Sequence, residues 1–221
     1  MRDDRELARV ARALYNYDER TPDDYFNHLL PHDGGYVGVK DAGNGETVVC
    51  WRGSTTLIDW IEDFRALPEY DAELGGTLHS GFSRGVNSVA AALDKVSPHP
   101  TYVIGHSLGG GHAAIRAARL IVRGRVPLKT TLWGCPRPGF QRLADILARH
   151  PVNSYRNRDD MVTKVPFYVP PNLLYVDAAP FLQTDVAPAA FDLWGPLRDH
   201  HFYLYNTAMA ALFPPTTDTP L

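Results

Sequence analysis

Thr101-Tyr-Val-Ile-Gly105-His-Ser107-Leu-Gly109-Gly-Gly111-His112 is the stretch around which the rest of the chain is organised. The apolar, β-branched run of Tyr102, Val103 and Ile104 stops at Gly105. Apolar residues then recur through Ala114, Ile115, Ala118 and Ile121–Val122 until Gly124, the spacing of a helix that starts just beyond Ser107. Gly-x-Ser-x-Gly at a strand-to-helix turn is a nucleophile elbow. The turn is so tight that Gly105 and Gly109 must lack side chains, and it lifts the Ser107 hydroxyl off the sheet edge. At the helix start, the backbone N–H of Leu108 is left free for an oxyanion forming on an attacked carbonyl. The same pattern recurs at Gly81-Phe-Ser83-Arg-Gly85, but the residues before it, Gly75 to Ser80, do not read as a strand. Ser107 is therefore the nucleophile candidate.

Upstream of the elbow, Val86, Val89, Ala90, Leu93 and Val96 share one helical face over 83–96. Tyr36–Lys40 and Thr47–Trp51 read as strands of a hairpin around Asp41-Ala-Gly-Asn-Gly45. Asp3 or Asp4 can cap a first helix carrying Leu7, Val10, Ala11 and Leu14. Thr21-Pro22-Asp23-Asp24 predicts the start of another helix, ending before Pro31. Downstream, the pattern predicts a strand at 129–133, the breaker run Gly134–Gly139, and a helix with Phe140, Leu143 and Leu147. A strand at 152–156 comes next, then one near 173–177 within the long loops of 163–199, and a final helix from His201 to Leu212. Strands alternating with helices imply an α/β fold with a mostly parallel central sheet covered on both faces.

At 221 residues, the expectation is a single domain, 1–221, large enough for its own core. A net charge of −3 gives no electrostatic footprint for nucleic acid or an anionic membrane. No apolar run approaches the ~20 residues of a spanning helix. The charged start, Met1-Arg-Asp-Asp-Arg-Glu, lacks the apolar core of a signal peptide. The chain is accordingly expected to be soluble, and either cytoplasmic, released without a visible signal, or the mature form of a secreted protein. No His-Glu-x-x-His run and no paired-cysteine spacing is present, and the lysine of a phosphate loop is absent beside Gly110-Gly-His112, so neither metal nor cofactor is expected. His106 reads as packing or polar lining, and His112 as buried against the sheet. The oligomeric state is not legible.

Serine acyl transfer needs a base near neutral pKa and a carboxylate that holds its tautomer. On an elbow of this kind the partners follow in the order Ser, Asp/Glu, His. Asp159 and Asp160 come just past one expected strand, and Asp177 follows another. His200 and His201 lie far downstream at a helix entry, whereas His150 precedes the acids.

Val49-Cys-Trp51-Arg-Gly-Ser54-Thr-Thr-Leu-Ile-Asp-Trp60-Ile-Glu-Asp63-Phe resembles the aromatic-Arg-Gly-Ser/Thr motif and lid of class 3 lipases, the fungal-type α/β-hydrolases. His79-Ser-Gly-Phe82, Gly105–Gly110, Trp133-Gly-Cys-Pro-Arg137, Asn157-Arg-Asp-Asp160-Met-Val162 and Asp199-His200-His-Phe-Tyr203 are similar to that family's later motifs, in the same order. The resemblance covers roughly 48 to 205 and implies an α/β-hydrolase fold with a short helical lid. It implies that Asp160 rather than Asp159 is the triad carboxylate, with Val162 two residues on, and that His200 rather than His201 is the base. Ser54 is implied as the second oxyanion donor beside Leu108. Thr163 departs from the family, which usually has proline there. In the family's sheet the strands bearing Cys50 and preceding Cys135 flank the elbow strand on opposite sides. Two strand spacings, about 10 Å, exceed the ~7 Å Cα limit of a disulfide, so both cysteines are expected to be free thiols.

Leu57, Trp60, Ile61 and Phe64 recur at i, i+3, i+4 and i+7 immediately after Ser54, predicting a short amphipathic lid over 55–64. Asp63 on its other side is a candidate partner of the Ser54 hydroxyl. The implied activity is that of a serine carboxylic-ester hydrolase, first a triacylglycerol lipase contacting lipid interfaces transiently, with phospholipase A1 and feruloyl-type esterase as alternatives. A catalytically inactive hydrolase fold used for binding is the alternative of another class.

Overall fold

In a computed structural model, residues 2–17, 24–32, 35–53, 67–166, 175–186 and 202–212 are described. Helix α1 (Asp4–Tyr15) begins where the Asp3 side chain accepts the Glu6 N–H, and turns Leu7, Ala8, Val10, Ala11 and Leu14 inward. Strands β1 (His28–His32), β2 (Gly35–Gly43) and β3 (Glu46–Trp51) form an antiparallel meander. The β2–β3 turn places Asn44 and Gly45 at φ of 54° and 74°, the positive values that a tight hairpin requires. A small ribbon of β4 (Pro68–Asp71) and β5 (Gly76–His79) leads into α2 (Ser80–Val96). The chain then alternates through β6 (Tyr102–His106), α3 (Leu108–Val122), β7 (Lys129–Trp133), α4 (Gln141–Leu147), β8 (Val152–Asn157) and β9 (Phe181–Thr184). It closes on α5 (Phe202–Leu212).

The main sheet has the order β1-β2-β3-β6-β7-β8-β9, parallel from β3 to β9. Successive residues of β3 point to opposite faces, and both faces are buried. Val49 and Trp51 join Val103 and Leu132 beneath α2, α3 and α4, where Phe82, Val86, Ile115, Ala118 and Leu143 pack. Val48 and Cys50 join Tyr102, Ile104 and Tyr155 beneath α1 and α5, with Leu7, Leu14, Tyr205 and Met209. Every residue of α3 from Leu108 to Leu120 is buried, so the elbow helix is the centre of one whole layer.

One polar group sits inside the α1 layer. Asp4 is fully buried and takes Lys129 Nζ at 2.7 Å, Thr131 Oγ1 at 2.7 Å, Asn153 Nδ2 at 2.6 Å and the Tyr155 hydroxyl at 2.7 Å. Burial alone would raise its pKa. The four donors outweigh that and hold the carboxyl below its ordinary value.

Several expectations are corrected. The helix expected from 21 to before Pro31 is not formed over the described part, where residues 28–32 are strand β1, paired from His28↔Val39 to His32↔Gly35. β1 is the sheet edge, which tolerates the missing N–H of Pro31, and pairing with β2 overrides the capping signal. Residues 76–79, expected not to be a strand, form β5. Ser83 nevertheless lies inside α2 rather than on a turn. Within 175–177, the described part of the strand expected near 173–177, Val176 makes only a single bridge to Gly139. The strand of that region is β9, in what read as loop. Cys50 and Cys135 are free and buried, with β6 between β3 and β7, as expected. Burial pushes both thiols up.

Candidate active site

The parallel strands end along one edge of the sheet, and the candidate residues lie in the loops that leave it. Ser107 follows β6 with φ 59° and ψ −132°, a strained conformation for a residue with a side chain. Its N–H is held by the Trp133 carbonyl at 3.0 Å, and its carbonyl accepts from Gly110 at 2.8 Å. The closeness of the turn explains its glycines. A Cβ on Gly105 would stand 2.1 Å from the Gly109 carbonyl oxygen, and one on Gly109 would stand 2.2 Å from that of Trp51. The Ser107 hydroxyl is buried, makes no hydrogen bond to the described residues, and does not cap α3. Leu108 is the first residue of α3, so its N–H has no carbonyl one turn back to bind. This pair can present a nucleophile and an anion-stabilising donor side by side.

Asp160 lies in the loop after β8, two strands from β6. Arg158 at φ 44° turns the chain, leaving Asp159 exposed and Asp160 fully buried. Asp160 Oδ1 accepts the Val162 N–H at 2.9 Å, which gives a physical reason for the two-residue spacing to Val162. Oδ2 accepts the Tyr205 hydroxyl at 2.5 Å, and the Asp160 carbonyl accepts Thr163 Oγ1 at 2.7 Å. Thr163, where proline is usual in the resemblance, thus closes the loop with a hydrogen bond proline cannot donate. Asp177 is instead ion-paired with Arg137 at 3.0 Å.

On the other side of the elbow, Gly53 follows β3 against the nucleophile, so that a Cβ there would meet Ser107 Cβ at 2.7 Å. Its N–H donates to the Tyr15 hydroxyl at 3.0 Å, and that hydroxyl also lies 2.7 Å from His106 Nδ1. Burial pushes the Tyr15 phenol well up, which keeps it neutral. Phe202, first residue of α5, stacks on Tyr15 at 5.4 Å and packs on His106 at 4.9 Å between ring centroids.

Ser54, the lid residues Leu57, Trp60, Ile61, Phe64 and Asp63, and both His200 and His201 lie outside the described residues. His106 is buried polar lining as expected, and His112 is fully buried among the rings of Trp51, Phe82 and His32. Tyr15 and Tyr205 were not found by sequence reasoning. Each is an ordinary helical aromatic whose hydroxyl matters only through a partner far along the chain. Among the described residues no group of three or more His, Cys, Asp or Glu could hold a metal, and no helix is long and apolar enough to cross a membrane.

The family model described as Lipase (class 3) matches residues 48–169, more than half of the chain. The chain belongs to the class 3 lipase family. Among its relatives in the family, the secreted mono- and diacylglycerol lipase 1 of Fusarium solani is 33% identical over 144 residues, covering 60% of this chain and 43% of that protein. The phospholipase A1-II 2 of Oryza sativa subsp. indica is 24% identical over 200 residues, covering 68% and 48%. This class 3 lipase chain thus spans about half the length of the curated relatives it matches. Its fold is that of the triacylglyceride lipase of Rhizomucor miehei, with a TM-score of 0.66, 20% identity, and 81% and 78% of the two chains covered. That likeness identifies the architecture as the α/β-hydrolase fold.

Proposed function

We propose that this chain is a soluble serine carboxylic-ester hydrolase, with 1–221 as one catalytic domain and acylglycerols as substrates. Ser107 attacks the ester carbonyl, His200 takes its proton and passes it to the leaving alcohol, and Asp160 orients His200. The N–H groups of Leu108 and Ser54 hold the oxyanion, and water deacylates the enzyme by the same route. One observation carries the reading: a buried serine at φ 59°, its hydroxyl uncommitted among the described residues, stands between β6 and α3 at the C-terminal edge of the sheet. Asp160, buried two strands away, supports the choice of carboxylate. His200 is supported by its sequence position. It holds the place of the base in the motif Asp199-His200-His-Phe-Tyr203, just ahead of Phe202, which packs on His106.

The test is hydrolysis of a soluble chromogenic ester. Ser107→Ala and His200→Ala should each lower turnover by about 10⁴-fold or more, with little further loss in the double variant. Activity abolished by His201→Ala but retained by His200→Ala would move the base by one residue. The rice relative's name favours phospholipase A1 as a second reading, which a panel of triacylglycerols, phospholipids and feruloyl esters distinguishes.

The helical spacing of Leu57, Trp60, Ile61 and Phe64 in the sequence supports an apolar-faced lid over 55–64, and the reading gives Asp63 the role of holding the Ser54 hydroxyl. Uncovering such a face in water is unfavourable by about 1.5–3 kcal/mol per large side chain, and a lipid surface buries it again. The rate on a short-chain ester should therefore turn upward as the substrate passes its solubility limit, and less so in Trp60→Ala. Smooth saturation in both chains would argue against the lid.

A further inference from the structure

A groove of about 420 Å³ runs along the outer side of α1, lined by Arg5, Arg9, Arg12, Asn16, Tyr25 and, from α5, Asn206. It shares no residue with the candidate active site. Arg5, Arg9, Arg12 and Asn16 lie at i, i+4, i+7 and i+11, within about 60° of one another around the helix and opposite the buried stripe of Leu7, Val10 and Leu14. Three guanidinium groups are thus stacked along about 10 Å of helix, at a spacing where like charges repel.

The arginines along the elbow helix are neutralised instead. On α3, Arg116 meets Asp94 at 2.7 Å and Arg119 meets Asp71 at 2.6 Å, and just past its end Arg123 meets Glu73 at 2.6 Å. Arg9 and Arg12 are exposed and form no ion pair or side-chain hydrogen bond with a described residue, in a chain whose net charge is negative. The remaining polar lining consists of two amides and a phenol, and no described carboxylate faces the groove. Arg9 and Arg12, two neighbouring forked donors with no carboxylate partner among the described residues, are suited to anions that present several oxygens each.

We propose that the groove between α1 and α5 is a binding site for a polyphosphorylated anion, with Arg9 and Arg12 as its principal ligands. The site is independent of the ester-hydrolase reading. Its ligand bridges the two helices whose inner faces carry Tyr15, against Gly53 and His106, and Tyr205, against Asp160. Occupancy therefore stabilises the folded chain by mass action.

The experiment follows thermal unfolding of the full chain with sodium tripolyphosphate, against sodium chloride of equal ionic strength. Sedimentation with vesicles of phosphatidylcholine containing phosphatidic acid is the second arm. Tripolyphosphate should raise Tm by about 5 °C or more once it stands about a hundredfold above its dissociation constant. The shift should vanish in Arg9→Gln/Arg12→Gln, whose exposed changes leave the ligand-free Tm near that of the wild type. A tripolyphosphate shift without vesicle binding assigns a soluble phosphate ligand, and vesicle binding lost in the double variant assigns a lipid headgroup. Absence of both effects, or an equal effect in the double variant, overturns the proposal. Esterase activity is not read, so failure here leaves the catalytic reading untouched.

Discussion

The Tyr205 hydroxyl donates to Asp160 Oδ2 at 2.5 Å while accepting the backbone N–H of Asn157 at 3.0 Å. One phenol thus joins α5 to both the end of β8 and the carboxylate beyond it. Burial, reinforced by the neighbouring Asp160 charge, pushes this phenol well up, so it remains a donor throughout the working pH range. Tyr205→Phe removes the donor and leaves the Asn157 N–H buried without its acceptor. The expected cost is about 1–3 kcal/mol of stability. On the proposed triad, the acidic limb of the kcat/KM pH profile should shift to higher pH, because a less shared Asp160 carboxylate stabilises the imidazolium more. A pH profile unchanged except in amplitude would reduce Tyr205 to a packing residue.

Asp4 docks the first helix onto β7 and β8 through four donors, one of them the nearly buried Lys129. Removing one partner of a buried pair strands the other charge, so Asp4→Ala should cost about 3–5 kcal/mol, measured by urea unfolding. The folded carboxyl titrates below 3.8, so this stability is complete above that pH and is lost as pH falls through the folded value. A loss under 1 kcal/mol would show that the network is not holding α1.

Two buried histidines set an earlier acid limb. Burial, with His32 nearby, holds His112 well below 6.5, and burial lowers His79 to about 4. Below about pH 6.5 the unfolded imidazoles bind protons that the folded ones refuse, so stability falls as pH drops. For His79 alone the loss reaches about 3 kcal/mol near pH 4. Neither ring nitrogen of His112 has a hydrogen-bond partner among the described residues, so a leucine of similar volume loses no polar contact. His112→Leu should stay within about 1.5 kcal/mol of the wild type at pH 8 and lose less stability between pH 6.5 and 5. Equal losses in both chains would contradict this account of the acid limb.

How much was legible depends on how far apart along the chain the interacting residues lie. The elbow is only partly a contact between neighbours: a Cβ on Gly109 would strike the Trp51 backbone of the adjoining β3, whereas a Cβ on Gly105 would strike the Gly109 carbonyl four residues on, a constraint written locally. The pairing of Val162 with Asp160 is local in the same sense. The helix expected after Thr21 failed because a cap reports only intrinsic preference, whereas residues 28–32 acquired an antiparallel partner in β2. β9 was missed for a similar reason. Phe181–Thr184 gains its order from a parallel partner, β8, more than twenty residues upstream.

By itself, the sequence determined the alternation of strand and helix, the two buried faces of the sheet, the strained serine and the order of the motifs around it, since periodicity and tight turns are short-range physics. Only the tertiary structure decided which of Asp159 and Asp160 is buried, that Tyr15 reaches Gly53 and His106, and that Tyr205 reaches Asp160 from 45 residues away. A side-chain hydrogen bond of that kind leaves no period in the chain. It exists because burial removes water from both partners, so their polar atoms must be satisfied within the protein.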